Sequence, residues 1–380
     1  MSPIDTPAIP KNSTVLVTGV NGFIGSHVAD QFLKHGYMVR GASRDLKKHA
    51  WIKNRFDNIY GKGKFEQVAV PDMEATGAYD DAVKGMQIVL NLRTARTASL
   101  NIIGTGVSAV VHTATTYSMD PNPYNVVPGT LAGVRNALTA AAKEATVKRF
   151  VLTSSSASAL IPRPNEEVTV TADTWNELAI EDAYREPPYE PERAYPVYAA
   201  SKTLAEKEAW KFVQENKPGF ILNTVLPNIN FGKTLDLVNQ GHTSTSSMIV
   251  ELFNGNSEPL SGLPARTSII LSFITNLLLL CAEYFVDVQD DAILHVAAVI
   301  HPEVENERVF AFSEPCNGDG ILEVLRKLYP DRKFPKNFQS TKDLSIIVPR
   351  ARAKKLLKDM GKSEWTSLED SIRMNTEDIA

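Results

Sequence analysis

Cysteine is nearly absent from this chain: Cys281 and Cys316 are the only two. Two such residues build neither a disulfide framework nor a metal-ligand spacing, and they suit a reducing compartment. His242, His295 and His301 also lack the short spacings of a zinc site, so no metal is expected. Basic charge is not in excess, with 40 Lys and Arg against 44 Asp and Glu and a formal net charge of −4. Without a basic stripe to displace counterions, a nucleic-acid partner is not expected, whereas a small anionic ligand needs only a local positive site. Long apolar runs are scarce as well. Residues 1–12 hold three prolines and no apolar leader. The apolar run at 267–282 falls short of the roughly 20 residues of a spanning helix, and polar residues interrupt it. No membrane anchor is expected, and the reading is a cytoplasmic protein of one large or two modest domains.

Near its start the chain carries Ser13-Thr-Val-Leu-Val-Thr-Gly-Val-Asn-Gly-Phe-Ile-Gly-Ser26. Val15, Leu16 and Val17 suit a strand covered on both faces. Gly19, Gly22 and Gly25 allow a tight turn, close approach to a pyrophosphate and close helix packing. Phe23 and Ile24 open the following helix, whose N-terminal N–H groups and positive dipole end would face that phosphate. A second strand at 37–42 ends at Ser43-Arg44, where a dinucleotide enzyme reads the adenosine ribose. Arginine there favours NADP(H) over NAD(H), with Lys48 as a second charge. Further strands are expected at 65–70, 107–114, 149–153 and 220–226, and helices at 78–84, 129–144 and 197–216. Residues 161–196, rich in proline, read as a long irregular connection with a short helix near Trp175. This alternation predicts an α/β fold, a Rossmann-type doubly wound parallel sheet with a smaller C-terminal substrate-binding region. His112, inside a central strand, reads as a packed core group.

Tyr198-Ala-Ala-Ser-Lys202 places a phenol and an ammonium one turn apart on a helix, downstream of Ser155 at a strand end. The charge would lower the phenol's pKa, the tyrosine would protonate a carbonyl oxygen as hydride reaches carbon, and Ser155 would hold that oxygen. Two other Tyr-x-x-x-Lys matches, Tyr60 with Lys64 and Tyr329 with Lys333, fall in a Gly-Lys loop and at Pro330.

With Val17-Thr-Gly-Val-Asn-Gly-Phe-Ile-Gly25, Arg44, Val111-His-Thr-Ala114, Thr153-Ser-Ser155, Tyr198 with Lys202, and Leu226-Pro-Asn228 together, the chain resembles the extended short-chain dehydrogenase/reductases. Within them it is most similar to the dihydroflavonol-4-reductase-like branch and the fungal NADPH-dependent aldehyde reductases. The resemblance implies Ser155, Tyr198 and Lys202 as the catalytic trio, Lys202 also reaching the nicotinamide ribose. It implies Arg44 at the 2′-phosphate, Asp72 and Met73 at the adenine, Ala114 beside the pyrophosphate and Pro227 at the nicotinamide. Residues 1–226 would bind NADP(H) and 227–380 would mainly bind a small carbonyl substrate, with 284–312 returning to the first domain, in a monomer or homodimer. A protein that senses NADP(H) without turnover, an epimerase and a hydroxysteroid dehydrogenase are the alternatives. Two segments, about 87–106 and 266–282, exceed the family spacing; removing them restores it, which is the pattern of retained introns.

Overall fold

The alternating strand and helix patterns become elements in a computed structural model that describes residues 4–85, 106–116, 118–255 and 283–380. The N-terminal part runs β1 (Thr14–Thr18), α1 (Phe23–Lys34), β2 (Met38–Ser43), α2 (Ala50–Tyr60), β3 (Phe65–Ala69), α3 (Asp80–Val83), β4 (Ala109–His112), α4 (Pro123–Lys143) and β5 (Arg149–Thr153). Then come β6 (Thr169–Val170), α5 (Glu177–Ala183), α6 (Ala194–Asn216), β7 (Ile221–Pro227), β8 (Ile229–Phe231), α7 (Leu237–Gln240) and α8 (Ser246–Phe253). The C-terminal part holds β9 (Glu283–Asp287), α9 (Val288–Ile300), β10 (Arg308–Ala311), β11 (Glu314–Cys316), α10 (Gly318–Leu328), β12 (Ile346–Ile347), α11 (Arg350–Asp359) and α12 (Leu368–Thr376).

Seven parallel strands form the main sheet in the order β10-β7-β5-β4-β1-β2-β3. Side chains alternate across it. Val15 and Val17 pack on one face with Val28 and Phe32 of α1 and Val296 of α9, whereas Leu16 packs on the other with Leu138 of α4 and Ala209 of α6. Both faces are therefore covered, which is why the strands read as continuous apolar runs. Chain order reverses between β1 and β4, and the crevice at their carboxyl ends is where such sheets hold ligands. Beside it, β8, β9 and β11 make a small mixed sheet, packed by α8, α10 and α12 around Phe231, Phe285 and Leu322. The chain then returns to the main sheet through α9 and β10, while β9 stays in the small one.

Several boundaries differ from the sequence expectation for identifiable reasons. α4 starts at Pro123, six residues before Gly129, with Asn122 capping the backbone N–H of Tyr124 and Pro128 inside the helix. Proline is favoured in a first turn, and the second one costs α4 a single backbone bond. β4 ends at His112 because the N–H groups of Thr113 and Ala114 both turn to Thr18 Oγ1, at 3.1 Å each. Residues 161–196 hold the short helix expected near Trp175, as α5, and are less irregular than expected in one respect, since β6 pairs with β12. The two extra segments, about 87–106 and 266–282, lie outside the described residues except for Gly106. On either side of the first, the backbone N–H of Val107 donates to the carbonyl of Val83 at 3.0 Å, so β4 begins beside the end of α3. Among the described residues no helix is long and apolar enough to cross a membrane.

Candidate active site

The glycine-spaced turn after β1 is shaped by close approach. Gly19 has φ +62°, and a Cβ there would lie 3.0 Å from Ala114 Cα. A Cβ on Gly25 would lie 2.4 Å from the Gly19 carbonyl oxygen, so only glycine lets α1 pack this tightly on the turn. Gly22 is the N-cap of α1 and offers no side-chain cap, which leaves the first N–H groups of the helix for a ligand. From the C-terminal part, Gln240 Nε2 donates to the carbonyls of Asn21 and Gly22 at 3.2 and 3.1 Å and braces the turn.

Gly19, Gly22, Arg44, Asp72, Met73 and Ala114 share the wall of a cavity of about 490 Å3 at the carboxyl end of the sheet. Arg44 is exposed on that wall and has no carboxylate partner among the described residues. Its neighbour Asp45, an acid that sequence reading passed over, is turned away: its carboxylate accepts the backbone N–H groups of Lys47 and Lys48 at 2.9 and 3.0 Å. Those bonds hold its pKa below the ordinary carboxylate value. Lys48 is exposed and outside the cavity wall. Gly25 lies behind the turn and acts through packing rather than contact.

A second cavity of about 200 Å3 shares Thr113 and Thr115 with the first, so the two form one crevice. Its wall brings together Phe23, Ile24, Ser155, Tyr198, Lys202 and Pro227, contributed by α1, the end of β5, α6 and β7. Ser155 and Tyr198 hydrogen-bond through their hydroxyls. Lys202, one turn along α6, donates from Nζ to the carbonyl of Thr153 at 3.3 Å.

The protonation states differ from the sequence expectation in one respect. Burial raises the Tyr198 phenol above its ordinary range, with Glu283 adding to the rise and the Ser155 hydrogen bond opposing it. Lys202, one turn along the helix, does not bring it below that range. Burial also pulls Lys202 down to about 8, against the opposing charge of Glu206. Tyr198 is therefore a protonated, hydrogen-bonded phenol at neutral pH, and a proton donor must begin in that state.

Two further carboxyls escaped sequence reasoning. Glu206 continues the row Tyr198, Lys202, Glu206 along one face of α6, and its side chain is completely buried. Ser154, Ser158, Thr224 and Arg308 all donate to it, at 2.7, 2.6, 2.7 and 2.8 Å. Its four-residue offset from Lys202 was the available signal. Glu283, at the start of β9, lines the second cavity, and no local pattern marks it. His112 is a core group, its Nδ1 3.0 Å from Thr18 Oγ1.

A doubly wound sheet, an uncapped glycine turn and a Ser-Tyr-Lys wall define a nucleotide-dependent α/β protein, and the chain belongs to the NAD dependent epimerase/dehydratase family, whose pattern matches residues 15–262. It is 39% identical over 375 residues to Aldehyde reductase 2 of Sporidiobolus salmonicolor, with 98% of each chain covered. Ketoreductase adrE of Penicillium rubens is 34% identical, with 96% of each covered. Among solved structures, Gre2 of Candida albicans in complex with NADPH superposes with a TM-score of 0.73 at 22% identity, covering 97% of this chain and 98% of that one.

Proposed function

We propose that the protein reduces an aldehyde or ketone to an alcohol, with NADPH as the hydride source and Tyr198 as the proton donor. The observation that carries this reading is the hydrogen-bonded Ser155–Tyr198 pair in a crevice continuous with the uncapped N-terminus of α1. Relatives of this length named as an aldehyde reductase and a ketoreductase support it.

The residues present fit the dinucleotide. The turn of Gly19, Gly22 and Gly25, with Ala114 across it, would take the pyrophosphate, Asp72 and Met73 would flank the adenine, and Arg44 would pair with a 2′-phosphate. Phe23, Ile24 and Pro227 would shape the nicotinamide end, with Lys202 donating to its ribose. The bound cofactor supplies the hydride. Ser155 then orients the substrate oxygen, and the Tyr198 hydroxyl gives its proton to that oxygen as negative charge develops there.

The reading is tested by following NADPH oxidation against a panel of aldehydes, ketones and β-keto esters. Reduction of at least one class is expected; tight NADPH binding without reduction of any would favour a redox-sensing role. Arg44→Ala is expected to weaken NADPH roughly 10- to 100-fold, the loss of a charge-assisted phosphate contact, with NADH little changed. Equal effects on both cofactors in a binding titration would remove Arg44 from the 2′-phosphate.

A further inference from the structure

Gln240 reaches the glycine turn from the C-terminal part of the chain, yet it lines neither cavity and the reaction above leaves it unused. Its own backbone is held in place. Asp236 caps α7 by accepting the N–H of Asn239 at 3.0 Å, and the Gln240 N–H donates to the Asp236 carbonyl at 2.8 Å. Earlier in the same segment, Leu235 is buried in the core that holds Val28 and Phe32 of α1, and His27 Nε2 donates to the Lys233 carbonyl at 2.7 Å. The segment is thus clasped to α1, and it presents Gln240 to the turn from an anchored, capped support.

The partners of the side-chain amide set its orientation. Nε2 lies 3.2 Å from the Asn21 carbonyl oxygen, 3.1 Å from that of Gly22 and 3.0 Å from Ser26 Oγ. A backbone carbonyl can only accept, so the nitrogen and not the oxygen of the amide faces the turn. Ser26 gives its own hydroxyl hydrogen to the Phe23 carbonyl at 3.0 Å, which leaves its oxygen to accept from Gln240. One amide therefore acts, directly or through Ser26, on the carbonyls of Asn21, Gly22 and Phe23.

Those carbonyls share their peptide units with the N–H groups of Gly22, Phe23 and Ile24. In a planar trans peptide the C=O and the N–H point opposite ways, so a donor that holds the carbonyls from behind aims the N–H groups away from itself. The Gly22 N–H goes to the Gly19 carbonyl at 2.9 Å and closes the turn. The N–H groups of Phe23 and Ile24 stand in the first turn of α1, where no intrahelical acceptor exists, and both residues line the second cavity.

We infer that Gln240 is a positioning residue for the cofactor: its Nε2–H groups hold the carbonyl side of the turn so that the N–H groups of Phe23 and Ile24 are directed at the pyrophosphate. It acts through the turn and not by contact with the dinucleotide. The inference rests on the NADP(H) part of the reading above.

The test is a direct binding titration with two probes, NADPH and adenosine 2′-monophosphate, which keeps the adenine, ribose and 2′-phosphate but has no pyrophosphate. Gln240→Leu, close in size and without a donor, is expected to bind NADPH roughly tenfold more weakly and the nucleotide as the unaltered protein does. Gln240→Glu, which turns carboxylate oxygens toward the carbonyls, is expected to lose roughly a hundredfold on NADPH alone. Ser26→Ala cuts only the link to Phe23; a loss of about threefold is expected, with nothing further when it is added to Gln240→Leu. Full NADPH affinity in folded Gln240→Leu, equal weakening of both probes, or unchanged NADPH affinity in Ser26→Ala would each overturn the assignment. Ser26→Ala and Gln240→Leu losses that simply add would do so as well. If the unaltered protein failed to bind NADPH, the cofactor reading itself would fall, and the inference with it.

Discussion

At the scale of single residues, the helix that carries Tyr198 and Lys202 is held by a group that lines neither cavity. Glu206 shares its two oxygens among Arg308, Ser154, Ser158 and Thr224, tying α6 to the serine loop after β5, to β7 and to β10. Burial alone would raise its pKa, but the Arg308 charge and the hydrogen bonds win and hold it below the ordinary 4.5. The unfolded chain then binds the proton more readily, so this stabilisation is present above 4.5 and is lost as pH falls through the lower folded-state value. Glu206→Ala strands a buried guanidinium and is expected to cost about 3–5 kcal/mol in urea unfolding at neutral pH. Glu206→Gln is expected to flatten the acid limb of the stability curve; an acid limb as steep as before would mean other carboxylates cause it. Tyr198 and Lys202 were legible in the sequence because four-residue spacing is local information. The place of Glu283 in the cavity wall was not, because Asn228, Asp343 and Tyr198 reach it from distant parts of the chain.

At the scale of elements, the turn from β1 into α1 is tightly constrained by close approach. A Cβ at Gly25 meets carbonyl backbone at 2.4 Å, and backbone cannot rotate aside as a side chain can. Gly25→Ala is therefore expected to displace the turn, costing about 1–3 kcal/mol in thermal unfolding. It should also weaken NADPH by about tenfold or more in a fluorescence titration. Wild-type affinity in a folded variant would show that the close packing is not what positions the phosphate grip. Six of the seven main-sheet strands could be read from sequence, the central ones because they are buried on both faces; β10, which joins the sheet edge from the C-terminal part, was not. The start of α4 could not, since Pro128-Gly129 resembles a helix boundary and only tertiary packing, with Val126 and Val127 buried, carries the helix back to Pro123. The two-residue pair β6 and β12 has too few residues for any periodicity.

At the scale of the whole molecule, the main sheet supplies a rigid edge at the carboxyl ends of β1, β4, β5 and β7, and the small sheet closes over it through β8 and β9. The glycine turn and the Ser155–Tyr198 pair thus lie in one continuous crevice, with walls drawn from distant parts of the chain. The order of strands and helices announced this layout, because a parallel sheet must be built by alternation. The wall of the second cavity was hidden, since Asn228, Ser244, Thr245 and Glu283 reach it from separate segments and no local pattern marks them. The central claim is that this crevice transfers hydride to a carbonyl while Tyr198 supplies the proton. Tyr198→Phe tests it most directly, by turnover with NADPH and a carbonyl substrate alongside NADPH binding by calorimetry. The account predicts kcat lower by about 10²- to 10⁴-fold with NADPH affinity near normal; turnover within about twofold of the unaltered protein would contradict it.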